Sequence, residues 1–180
     1  MTDDPEVLAG QAIYRRRVLS SYDLVVLRLS NPLLWRCRTS RILRQYDLVG
    51  ADHLELGVGT GYYLDRCAFP VPEPRITLLD LNAETLRYTA QRLARYRPDL
   101  VRANVLEPLP VPRHHFDSVA LNYLLHCVPG DLNDAMGVFH NERDRLDDLR
   151  TQLDRHFADY DLAVHGCVAL FSATTPQVAA

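Results

Sequence analysis

His53-Leu54-Glu55-Leu56-Gly57-Val58-Gly59-Thr60-Gly61 is the stretch on which the reading of this chain turns. Leu54 and Leu56 flank Glu55 in a short strand, which runs straight into alternating glycines. Glycine takes positive φ without a steric cost and has no Cβ to keep a ligand away, so the stretch reads as a turn that cradles a nucleotide-like group. Amides of the helix that follows would face the same group. An isolated glycine turn is weak evidence, and the spacing has to decide. A dinucleotide-binding turn needs a third glycine at position 62, where Tyr62 stands. A P-loop needs a lysine after its last glycine, and all 20 of the Lys and Arg residues here are arginine.

Working outward, Arg75-Ile76-Thr77-Leu78-Leu79 reads as a buried strand ending at Asp80. An acidic residue at that strand end, about twenty residues past the glycines, can hydrogen-bond a ribose diol. Its other reading is a helix cap, but Asn82 is better placed to cap the helix expected from Ala83 to Tyr96. Leu86, Ala90 and Leu93 give that helix its apolar face, and Pro98 closes it.

Glu-x-Gly-x-Gly-x-Gly followed by this acidic strand end resembles the opening motifs of the class I S-adenosylmethionine-dependent methyltransferases. The resemblance implies an α/β fold, a Rossmann-like methyltransferase sheet with helices on both faces and N-terminal helices as a lid. It implies that S-adenosylmethionine, or S-adenosylhomocysteine as product, is held by Glu55, Gly57, Gly59, Gly61 and Asp80. Glu55 would steady the glycine turn and the amino-acid end of the cofactor. Asn104 and Val105, after a strand at 100–104, stand where the family holds the adenine, with Asn104 in place of the usual aspartate; a plain turn asparagine is the equal alternative. After a fourth strand, Phe116 to Leu121, the run Asn122-Tyr123-Leu124-Leu125-His126 is similar to the family's fourth motif beside the reactive methyl. Asn122 joins the cofactor residues there. Tyr123 and His126 are the catalytic candidates, His126 as a proton acceptor or as a structural histidine.

The remaining composition sets bounds. At 180 residues, 47% hydrophobic and 24% charged, the chain is expected to form one domain: helices over 1–48, a cofactor half over 49–130 and a shortened half over 131–180. A net charge of -3 offers no attraction for nucleic acid or an anionic membrane, and Arg15-Arg16-Arg17 reads as a solvated helix face. With no apolar run long enough to span a bilayer and an acidic Thr2-Asp3-Asp4 start, a cytoplasmic protein is expected. Cys37, Cys67, Cys127 and Cys167 lack ligand spacing and are expected as buried free thiols; no metal is expected, at His114-His115 or elsewhere.

Helices are expected over Glu6–Leu29, Pro32–Tyr46 and Asp131–Phe139, with a last one carrying the stripe Leu146, Leu149, Leu153 and Phe157. Strands at Leu162–His165 and Cys167–Phe171 resemble the family's terminal pair. The fifth-strand region and its acceptor contacts are absent, since 130–162 carries only helical pattern. The expected function is methyl transfer to a small molecule. The alternatives are a repurposed fold that cyclises or isomerises its substrate, and a non-catalytic shortened homologue. The bare edge of strand four predicts that the terminal strands slide against it or that a homodimer covers it.

Overall fold

A computed structural model describes residues 33, 35–112, 115–124 and 145–176. Strands β1 (Asp52–Leu56), β2 (Arg75–Asp80), β3 (Asp99–Arg102) and β4 (Ser118–Leu121) form a parallel sheet in the order β3-β2-β1-β4. Parallel strands are covered on both faces and therefore read as apolar runs rather than alternations. Leu54, Ile76, Leu78 and Leu79 are accordingly buried. Leu56 pairs with Leu79 on one side and Leu121 on the other, so three strands end level and the glycine turn leaves from between them.

Among the described residues the α-helices are α1 (Thr39–Gln45), α2 (Tyr62–Arg66), α3 (Ala83–Arg92) and α4 (Leu146–His156). Asn82 caps α3 as expected, its Oδ1 accepting from the amides of Glu84 at 2.8 Å and Thr85 at 3.4 Å. The core joins Tyr46, Val49, Val58, Leu64, Ile76, Leu78, Leu86 and Leu93. Each fully buried leucine there contributes on the order of 1.5–3 kcal/mol. Past α3 a 3-10 turn, Ala94–Tyr96, and a left-handed Arg97 (φ 51) bring the chain to β3.

Several expected elements are corrected. The helix expected over Pro32–Tyr46 is not continuous: Arg36 takes φ 51 and Arg38 is extended, so α1 starts at Thr39, and a 3-10 turn at Tyr46–Leu48 continues it. Phe157 does not complete the apolar stripe of α4, because its φ of -133 and ψ of 140 make it the first residue of a strand. The terminal strands are longer than expected, β5 (Phe157–His165) and β6 (Val168–Pro176), and they pair antiparallel across the turn Gly166-Cys167. They form a sheet of their own instead of sliding against β4. Among the described residues β4 pairs with β1 alone, and Val119 on it is 55% exposed.

The hairpin is held by other means. Its tip donates from the Cys167 amide to the Trp35 carbonyl at 2.9 Å, and His165 meets Arg41 of α1 at 3.1 Å. α4 packs on both of its strands, and Tyr160 donates to Asp154 at 2.8 Å. Of the cysteines, Cys37 is buried, Cys67 half-buried and Cys167 exposed, so the expectation of uniformly buried thiols fails. The helices expected over Glu6–Leu29 and Asp131–Phe139, together with Cys127 and His114, lie outside the described residues. His115 is exposed in the loop before β4, 3.6 Å from the Asp52 carboxylate, which also meets Arg75. No described helix is long and apolar enough to cross a membrane, and no group of three or more metal-ligating residues occurs among the described residues.

Candidate active site

The glycine turn is bolted to its surroundings through its backbone. Gly57 donates to the Leu79 carbonyl at 2.9 Å, Val58 to Asp80 Oδ2 at 3.1 Å, and Gly61 back to the Val58 carbonyl at 2.9 Å. The carbonyls of Gly59 and Thr60 are drawn toward α3, accepting from Thr89 Oγ1 at 2.9 Å and Arg92 Nη1 at 2.8 Å. All three glycines have positive φ, yet their missing side chains serve different ends. A Cβ on Gly57 would come within 2.7 Å of Leu124 Cδ1, and one on Gly61 within 2.6 Å of Thr89 Cγ2, so these two permit protein packing. A Cβ on Gly59 would meet nothing within 4 Å among the described residues. That open space, at the level carboxyl ends of β1, β2 and β4, is the cradle a ligand can fill. α2 is a single short helix, so the turn itself rather than a long helix dipole shapes the site.

Asp80 acts as the hinge pin of this arrangement. Its two oxygens accept from the amides of Val58 at 3.1 Å and Asn82 at 2.8 Å, tying the turn to the start of α3. Burial raises its carboxyl above the ordinary range, and amide donors from Asn82, Val58 and Leu81 oppose that rise. Asn104 is engaged in a local turn: its Oδ1 accepts from the Leu106 amide at 3.1 Å and its carbonyl from the Glu107 amide at 3.1 Å. Val105 beside it is half-buried.

Glu55 is placed differently from expectation. It is 4% exposed, and its carboxylate accepts from the Tyr46 hydroxyl at 2.7 Å and lies 3.1 Å from His53 Nε2, facing the interior instead of the cradle. Strand alternation explains this, since positions 53 and 55 share a face that Tyr46 covers. Tyr46, His53 and Ser118 are the residues that the sequence reading missed. The His53-x-Glu55 spacing could have flagged the pair, but Tyr46 and Ser118 come from distant segments. Asn122 donates through Nδ2 to the same Tyr46 oxygen at 2.8 Å. Tyr123 follows with φ 52, an uncommon conformation for a bulky residue, and its ring stands 5.9 Å from that of Trp35. His126 lies outside the described residues. The structure thus brings Gly57, Gly59, Gly61, Asp80, Asn122 and Tyr123 to one end of the sheet and turns Glu55 inward.

A family model described as a methyltransferase domain matches residues 54–148, more than half of the chain. The chain belongs to the class I S-adenosylmethionine-dependent methyltransferase family. It is 40% identical over 215 residues to a demethylluteothin O-methyltransferase of Streptomyces thioluteus, covering 96% of this chain and 94% of that protein. It is 39% identical over 145 residues to the methyltransferase ctvB of Aspergillus terreus, covering 77% of this chain and 63% of that protein. A physcion biosynthesis cluster O-methyltransferase of Aspergillus chevalieri matches at 39% over 135 residues, covering 73% and 60%. The Streptomyces alignment spans 215 positions against the 180 residues of this methyltransferase, so the relative carries residues with no counterpart here.

Proposed function

We propose that this methyltransferase binds S-adenosylmethionine over Gly59 and transfers its methyl group to an oxygen of a small molecule made in secondary metabolism. The observation that carries this reading is the open, positive-φ Gly59 between three strand ends that finish level. When bound, the cofactor supplies a methyl carbon already activated by its sulfonium. The chain then has to orient two partners and exclude water, which is chiefly a matter of alignment. Gly57, Gly59 and Gly61 shape the cradle, Asp80 meets the ribose, and Asn104 and Val105 flank the adenine. Tyr123 orients the acceptor and His126 takes its proton. The printed names of the relatives, two of them O-methyltransferases, support oxygen as the acceptor atom.

The same reading takes the chain as one domain and as a homodimer in which a second copy covers β4 and rebuilds the acceptor wall. Its support is that β4 pairs with β1 alone among the described residues and that Val119 is exposed. Three measurements test the proposal. Calorimetry should detect S-adenosylhomocysteine binding, and incubation with S-adenosylmethionine and demethylluteothin should give a product heavier by one methyl. Absence of cofactor binding sinks the methyltransferase activity, and a persistent monomer in light scattering sinks the dimer.

A further inference from the structure

Behind the cradle a line of polar groups, buried at its centre and half-buried at both ends, runs from Gly50 to Asn122. The Gly50 amide donates to Ser118 Oγ at 2.7 Å, and that oxygen lies 2.7 Å from His53 Nδ1. His53 Nε2 lies 3.1 Å from Glu55 Oε2, the Tyr46 hydroxyl donates to Glu55 Oε1 at 2.7 Å, and Asn122 Nδ2 donates to the Tyr46 oxygen at 2.8 Å. His53 is fully buried and Tyr46 is 2% exposed. No buried side-chain nitrogen or oxygen among the described residues lacks a partner.

Proton accounting gives this line a direction. The Gly50 amide donates to Ser118 Oγ. A carboxylate can only accept, so His53 donates from Nε2 to Glu55, and Ser118 Oγ meets the other ring nitrogen. The carboxylate accepts from both sides. Burial beside Glu55 holds the Tyr46 hydroxyl well above its ordinary pKa, so it stays a neutral donor with one proton to give. That proton is committed to Glu55, and the Tyr46 oxygen must accept from Asn122. The amide of Asn122 is thereby oriented: NH2 toward Tyr46, carbonyl oxygen away from it. Asn122 is half-buried and directly follows Leu121, which pairs with Leu56, the residue before Gly57. Stacking of the Tyr46 ring on Tyr63, at 5.4 Å, keeps the hydroxyl in place.

We propose that Tyr46 is a positioning residue: anchored on Glu55, it holds Asn122 so that the amide carbonyl oxygen, and not the NH2, serves the cleft as an acceptor for an ammonium or hydroxyl donor. This rests on the methyltransferase reading for its ligand, either the amino-acid end of the cofactor or the acceptor hydroxyl. The test compares wild type, Tyr46→Phe, Asn122→Ala and the double variant in melting temperature, S-adenosylhomocysteine affinity, and kcat and KM. Each single change should weaken one parameter by about three- to tenfold, and the double should be no worse than Asn122→Ala alone. A loss in cofactor affinity assigns the donor to the cofactor; an unchanged affinity with a raised acceptor KM assigns it to the acceptor. Losses that multiply, or a Tyr46→Phe protein that melts lower but binds and turns over normally, overturn the proposal. Nuclear magnetic resonance of the Asn122 side-chain amide in ligand-free protein provides an independent reading: Tyr46→Phe should shift it, and an unmoved signal also overturns the proposal. Wild-type protein that binds no cofactor would defeat the methyltransferase reading alone, and the amide signal would still decide whether Tyr46 holds Asn122.

Discussion

The parallel sheet and the terminal hairpin are both rich in branched and aromatic residues, yet they stand on different footings. In β1 four successive residues, Asp52 to Glu55, are buried, whereas neither β5 nor β6 contains one fully buried residue. The inner strands β1 and β2 carry the sheet's core, while β3 and β4 at its edges contain no buried residue. The hairpin has only two strands, which are marginal in isolation, and depends on α1, α4 and the Trp35 carbonyl for its place. The difference predicts that the two regions respond separately: damage to the hairpin should spare the cradle, and damage within the cradle should divide by which glycine is touched.

The largest effect is expected from Gly61→Val, where a side chain meets Thr89 at a φ of 69. Strain and overpacking together should cost about 3 kcal/mol or more, seen as a large fall in melting temperature with loss of S-adenosylhomocysteine binding. Gly59→Val meets only open space and should cost about 1–2 kcal/mol of backbone strain while still abolishing binding. Equal unfolding by the two variants would erase the distinction between packing glycines and the cradle glycine.

Asp80→Ala comes next. Loss of a charge-assisted ribose bond should weaken cofactor affinity about ten- to hundredfold, or roughly 1.5–3 kcal/mol, by calorimetry. Melting should fall as well, because the Val58 amide loses its acceptor. Gly166→Val tests the hairpin: at φ 63 its Cβ would run into the Trp35 carbonyl and Arg36. Hydrogen exchange in 157–176 should rise while cofactor affinity stays within about twofold, a change too small to register against the cost of losing one hydrogen bond. Cofactor affinity that collapses with the hairpin would show that the two regions fold as one unit.

The smallest effect is a slope with pH. Burial raises the Glu55 and Asp80 carboxyls, so the folded chain binds more protons than the unfolded chain over the interval above their ordinary values. The stability these groups contribute is present below the unfolded carboxylate value and is lost as pH rises through the folded one. Thermal melts across that window should show a decline that Glu55→Gln makes shallower, and an identical slope in the variant would remove Glu55 from the account.

Much of the cofactor half was legible from residues alone. Short buried strands bounded by glycine and acidic ends, a capping Asn82 and helix-period leucines are local codes, and the structure places β1, β2, α3 and β4 close to where those codes put them. The helix starting at Thr39 and the hairpin lengths were not legible, because the left-handed Arg36 and the antiparallel register from Phe157 to Pro176 depend on partners remote in sequence. The three glycines looked alike in the chain, and only Leu124, Thr89 and an empty space tell them apart.

What the sequence by itself determined is the family and the strand-turn-strand signature, since backbone freedom at Gly57, Gly59 and Gly61 and the acidic end at Asp80 are properties of residue type and spacing. The direction of Glu55 was decided only by the tertiary structure. A carboxylate beside a glycine turn can face a ligand or the core, and the choice falls to the core because Tyr46 and His53, the latter held by Ser118 of β4, satisfy it there away from water.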